Sequence, residues 1–105
     1  MEKNKIYQLK YLPIARRDLQ DLVDYIAYDL EVPEVALKML PTLETEILSL
    51  QENPFRGSIY SSSRKSNCQY RKIFVKNYVI FYLIFENIVE IQRVFYNGRN
   101  MNKLI

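Results

Sequence analysis

The sequence predicts an α+β fold: an N-terminal strand, a two-helix antiparallel hairpin, then a C-terminal antiparallel sheet, in the order β-α-α-β-β-β. Two observations predict it. Between residues 15 and 50 apolar side chains recur every three or four positions, the period of an amphipathic helix. From residue 70 onward they run on or alternate, and β-branched and aromatic residues dominate, which is strand composition.

Taken in order, "KIYQLKY" (5–11) alternates, with Tyr7, Leu9 and Tyr11 on one face of a half-buried strand. Pro13 then occupies a position that the first turn of a helix tolerates. Ala15, Leu19, Leu22, Ile26 and Leu30 form one apolar stripe, and Asp18, Asp21 and Asp24 read as a solvated face beside it. "EVP" (31–33) breaks the pattern, and Pro33 can open a second helix with Ala36, Leu40, Leu43, Ile47 and Leu50 as its stripe. Pro41 inside that stripe removes one backbone bond and should kink or split the helix, at a cost of about 3 kcal/mol unless packing compensates. Asn53-Pro54 ends it. The serine-rich stretch 55–69 reads as a loop or frayed edge strand.

Three strands follow, "YRKIFVK", "NYVIFYLIF" and "IVEIQRVFY", separated by Lys76-Asn77 and Glu86-Asn87, which suit tight hairpin turns. The middle strand is apolar on both faces and should lie at the sheet centre. In the last strand Val89 and Ile91 share one parity while Val94 and Tyr96 take the other, so a bulge near Gln92 is expected. The helical hairpin should cover one sheet face and leave the other without cover from this chain.

At 105 residues the chain, 1–105, is expected to form one domain with one modest core, too small for a large cofactor cavity. No apolar run reaches the roughly 20 residues that span a bilayer, and "MEKNKIYQLK" lacks a signal core. A single Cys68 cannot form an internal disulfide, and a cytoplasmic setting is expected, with no membrane partner. Residues 1–54 carry 6 Lys/Arg against 10 Asp/Glu, and residues 55–105 carry 9 against 2. That basic second half points to a polyanion or an acidic protein partner.

The absence of histidine removes the usual acid–base group at neutral pH. One Cys and no His exclude a Cys/His zinc site, so no metal is expected. Two glycines cannot build a phosphate-cradling loop, so no cofactor is expected. What remains is arginine, lysine and tyrosine on the β half. Arg71, Arg93, Tyr96 and Arg99 are the candidate catalytic or target-binding residues, with Lys72, Lys76, Lys103, Arg64 and Lys65 as a supporting basic surface. Arginine holds a phosphate or carboxylate with a fixed fork of donors, and tyrosine packs beside it. Tyr78 and Tyr82 read as core aromatics.

"YLPIARRDLQDLVDYIA", "PEVALKMLPTLETEILSLQENPFRG" and "YRKIFVKNYVIFYLIFENIVEIQRVFYNGRN" together resemble the RelE/ParE superfamily of toxins from type II toxin–antitoxin modules. The resemblance implies the fold read above, a cognate antitoxin that covers part of the toxin, and contact with operator DNA only through that antitoxin. RelE-like members resemble nucleases that cut mRNA on the ribosome; ParE-like members resemble poisons of DNA gyrase. By position, Arg71 lies where RelE-like enzymes place a basic strand residue, Arg99 at their late arginine, and Tyr96 where a histidine often stands. The chain departs from the nuclease pattern at Val79, Ile73 and Ile105, which replace an arginine, a lysine and a late tyrosine. Those departures and the long hairpin, about 13 to 53, favour the ParE-like type, with the ribosome-dependent nuclease as the alternative and a non-toxic nucleic-acid-binding domain as a remote one.

Overall fold

A computed structural model describes residues 6–25, 33–63 and 68–96. The element order is β1 (Gln8–Tyr11), α1 (Pro13–Asp24), α2 (Pro33–Ser49), a 3₁₀ turn (Pro54–Arg56), then β2 (Ser58–Ser63), β3 (Cys68–Val75), β4 (Tyr78–Phe85) and β5 (Ile88–Tyr96). The strands form one sheet in the order β1-β5-β4-β3-β2, with β4 at its centre as its two apolar faces require. Three of the four pairings are antiparallel, but β1 lies parallel to β5, from Gln8 opposite Ile88 to Tyr11 opposite Ile91.

Both helices open on proline: Pro13 is the first residue of α1, where its missing N–H costs nothing, and Pro33 is the first of α2. Pro41 does not split α2, which runs unbroken to Ser49. Next to Pro41, the Thr42 hydroxyl donates one turn back to the carbonyl of Lys38 at 3.0 Å. Ile26 and Leu30 lie outside the described residues, as does the link between the helices.

The core lies between the hairpin and one sheet face. Ala15 and Leu19 of α1 and Leu43, Ile47 and Leu50 around α2 pack against Ile73, Val75, Tyr78, Ile80, Tyr82, Ile84, Val89, Ile91 and Val94. The switch from Val89 and Ile91 to Val94 requires a bulge, and the β4–β5 register shows it: Phe81 faces Arg93 and Tyr82 faces Ile91, leaving Gln92 as the extra residue. At the far end, Tyr7 and Gln51 tie β1 to the exit of α2. The Tyr7 N–H donates to Gln51 O at 2.9 Å and the Gln51 amide donates back to Tyr7 O at 3.0 Å.

The sheet face turned away from the helices carries no helix among the described residues. Rings cover part of it: Tyr60 packs on Phe81 with centroids 5.1 Å apart, and Phe81 on Phe95 at 5.8 Å. Beneath them Val79, paired with Phe74 and Phe95, is fully buried. Phe74 itself is 55% exposed.

Leu43 is 1% exposed and Leu22 only half-buried. Leu43→Ala should therefore destabilise the fold by about 2–5 kcal/mol and Leu22→Ala by roughly half as much. Denaturant unfolding of the two variants checks the order; an equal or reversed cost would contradict this core.

Candidate functional site

The candidate arginines of the sheet meet the rest of the chain at two places. The first is the turn that joins α2 to the sheet. Tyr82 points from the centre of β4 into the core, fully buried. Its hydroxyl donates to Pro54 O at 2.6 Å and accepts the Gly57 N–H at 3.1 Å. Burial raises the phenol's pKa above its usual value, opposed by the Gly57 N–H and by Arg71 and Arg56, so it stays a donor at neutral pH. A Cβ at Gly57 would lie 2.4 Å from the Tyr82 oxygen and 2.7 Å from Lys72 O, so only glycine fits here. Arg71 closes the same turn. Its guanidinium donates to Phe55 O at 3.1 Å, to Gly57 O and to Gln69, and lies 5.2 Å from the centre of the Phe55 ring. Arg56 binds the turn back to α2 through the Glu46 carboxylate at 2.7 Å.

The second place is the outer edge of β5. Arg93 forms a fork onto Asp18 of α1, Nε to Oδ2 at 2.9 Å and Nη2 to Oδ1 at 3.2 Å, and its guanidinium sits 4.6 Å from the centre of the Phe95 ring. The hydrogen bond to Asp18 holds the guanidinium protonated more firmly than usual. Asp18 also accepts the Val94 N–H at 2.9 Å and is 11% exposed. This corrects its reading as a solvated residue. Three residues from Ala15 and four from Leu22, it shares their side of the helix, because spacings of three and four place residues on one face.

Tyr96 ends β5, 49% exposed, its ring 5.5 Å from that of Tyr78. Tyr78 is buried, which raises its pKa, with Tyr96 and Tyr25 adding to the rise. Lys72 faces the open side of the sheet near Phe74 and shares with Arg56 and Ser58 a cleft of about 290 Å³. Lys76 is exposed at the β3–β4 turn, where its φ of 55° is left-handed; Glu86 repeats this at the β4–β5 turn with φ 57°. Arg64, Lys65, Arg99 and Lys103 lie outside the described residues, so Arg71, Arg93 and Tyr96 are the described candidates. They are not brought together: Arg71 serves the 54–57 turn, and Arg93 the opposite side of the sheet, beside α1. Among the described residues no group of acidic, Cys or His side chains could hold a metal.

The model of the ParE toxin of type II toxin–antitoxin systems (parDE) matches residues 9–101. The chain belongs to this ParE toxin family. Solved structures share its fold. A chain of the chromosomal ParDE system from P. aeruginosa is 20% identical with a TM-score of 0.69, over 88% of this chain and 97% of that one. The RelBE2 toxin–antitoxin complex from Mycobacterium tuberculosis gives 19% and 0.58, over 91% and 97%. The archaeal RelE–RelB complex from Pyrococcus horikoshii gives 12% and 0.55, over 90% and 98%. No curated protein sequence matches.

For this ParE-family chain, residue type alone pointed to Arg71 and Arg93 but missed Asp18, Gly57 and the Tyr82 hydroxyl. Two signals were present: Asp18 at core spacing in α1, and a glycine one turn beyond the "NP" helix exit. If the close approach of β4 to the 54–57 turn requires Gly57, Gly57→Ala should cost about 1–3 kcal/mol, the range for overpacking a tight site. Thermal unfolding measures this, and a variant as stable as the parent would contradict the crowding.

Proposed function

We propose that this chain arrests bacterial growth by poisoning DNA gyrase in the cytoplasm, and that a cognate antitoxin neutralises it. The observation that carries the reading is the ParE family match over residues 9–101. The positions that separate it from a nuclease support it. Val79 and Ile73 stand where a nuclease would carry basic groups, and both are buried apolar residues. Arg71 and Arg93 are spent on carbonyls and a carboxylate of the chain itself. The sequence contains no histidine, and burial pushes the phenols of Tyr60, Tyr78 and Tyr82 upward, away from neutrality. These groups are poorly suited to general acid–base work on a phosphodiester.

On this reading Arg99 and Tyr96 contact the target, and Lys103, Arg64, Lys65, Lys72 and Lys76 add positive potential around it. Arg71 and Arg93 support that surface from within. The antitoxin segment is acidic and amphipathic: the exposed Tyr60, Phe74 and Phe85 offer it apolar anchors, and the basic half attracts it. Two structures that share the fold are toxin–antitoxin complexes, which supports such a partner.

Inducing the chain in a bacterium while following DNA and protein synthesis separately tests the target. Gyrase poisoning predicts DNA breaks and filamentation before translation falls. Early translational arrest with cleaved mRNA would favour the ribosome-dependent nuclease, and unaffected growth would overturn both. In the same assay Arg99→Ala should lose toxicity while stability stays within about 0.5 kcal/mol of the parent. Full toxicity of that variant would remove Arg99 from the target contact.

A further inference from the structure

β1 covers only the first part of β5. Its register ends with Tyr11 opposite Ile91, and the chain leaves through a last bond from the Leu12 N–H to Ile91 O at 3.0 Å. β5 continues to Tyr96, so residues 92–96 form a strand edge with no neighbouring strand on that side among the described residues. Such an edge leaves backbone donors without partners and opens more readily than a paired strand. Just past the bulge at Gln92, the Val94 N–H meets Asp18 Oδ2 at 2.9 Å. α1 is rooted in the core by Ala15 and Leu19, so the carboxylate is presented from a fixed support.

We propose that Asp18 is a positioning residue for toxin action: its carboxylate replaces the missing strand at Val94 and fixes the strand end that carries Tyr96. Val94 then lies between Ile80, its neighbour across the β4–β5 ladder, and Asp18, which takes its N–H at the outer edge. Two residues later Tyr96 rests against Tyr78. A target-contacting side chain carried on a fixed strand end loses less freedom on binding than one carried on a frayed end. The acceptor on Val94 matters more than the ion pair. The Arg93 side chain is 38% exposed, and partly exposed pairs contribute little, whereas the Val94 N–H meets an acceptor that is only 11% exposed, and a donor left without its partner there is costly.

The test uses the full chain with Asp18→Ala, Asp18→Asn and Arg93→Gln, read by cooperative melting, exchange of the Val94 amide proton and growth arrest. Only the growth readout rests on the proposed function. Asp18→Ala should melt cooperatively, exchange at Val94 about tenfold faster and arrest growth about tenfold less effectively. Asp18→Asn keeps an oxygen for Val94, and Arg93→Gln keeps Asp18 itself. Both should stay within about threefold of the parent in Val94 exchange, and Asp18→Asn in growth arrest as well. If Asp18→Ala does not melt cooperatively, Asp18→Glu takes its place, since it keeps the charge but sets the oxygen one methylene too far. Unchanged Val94 exchange in the deprived variant, full arrest despite fast exchange, or an Asn variant as impaired as Ala would each overturn the proposal. A parent that fails to arrest growth counts against the proposed function, and Val94 exchange alone then decides the positioning role.

Discussion

The Tyr82 hydroxyl lies at the middle of the most buried strand and holds the segment that links the helices to the sheet. It donates to Pro54 and accepts from Gly57, so a turn that packs against the core keeps its backbone groups paired. A buried carbonyl and N–H left without partners would cost about 1–3 kcal/mol each. From this contact much of the architecture follows. Gly57 must lack a side chain, and Arg71 can reach two carbonyls of the turn. β2 starts directly after it, with Ser58 opposite Lys72.

The sheet thus uses its described arginines on itself. Arg71 fastens the entry to β2 and Arg93 fastens the exit of β5 to α1, at opposite sides of the sheet. Each also lies against an aromatic ring, Phe55 or Phe95, where its planar group packs as well as it bonds. What the described scaffold leaves available is the half-exposed Tyr96, the lysines of β3 and its turn, and an aromatic face that no described helix covers. On the function proposed above, a sheet braced from one side leaves surface for both a target and an antitoxin.

Much of this was legible in the sequence because it follows from period and parity. Pro13 and Pro33 mark the helix starts, the two apolar faces of β4 place it at the centre, and the parity switch after Ile91 marks the bulge at Gln92. The parallel partnership of β1 with β5 was not legible, since strand neighbours far apart in the chain leave no local pattern. The polar "SIYSSS" fits either a loop or an edge strand, and β2 takes the edge, which needs only one neighbour and little apolar surface. Asp18 looked solvated because carboxylates usually are, although its spacing placed it on the core side. The engagement of Arg71 with Phe55 and Gly57 joins residues 14 and 16 apart, and no side-chain type announces such a contact.

The most direct measurement is a double-mutant cycle of Tyr82→Phe and Arg71→Met, which removes the two groups that close the 54–57 turn and leaves their volumes nearly intact. If they hold one turn together, their effects on unfolding free energy should be coupled by about 0.5–3 kcal/mol. Costs that add to within about 0.3–0.5 kcal/mol would show two independent contacts and contradict the account.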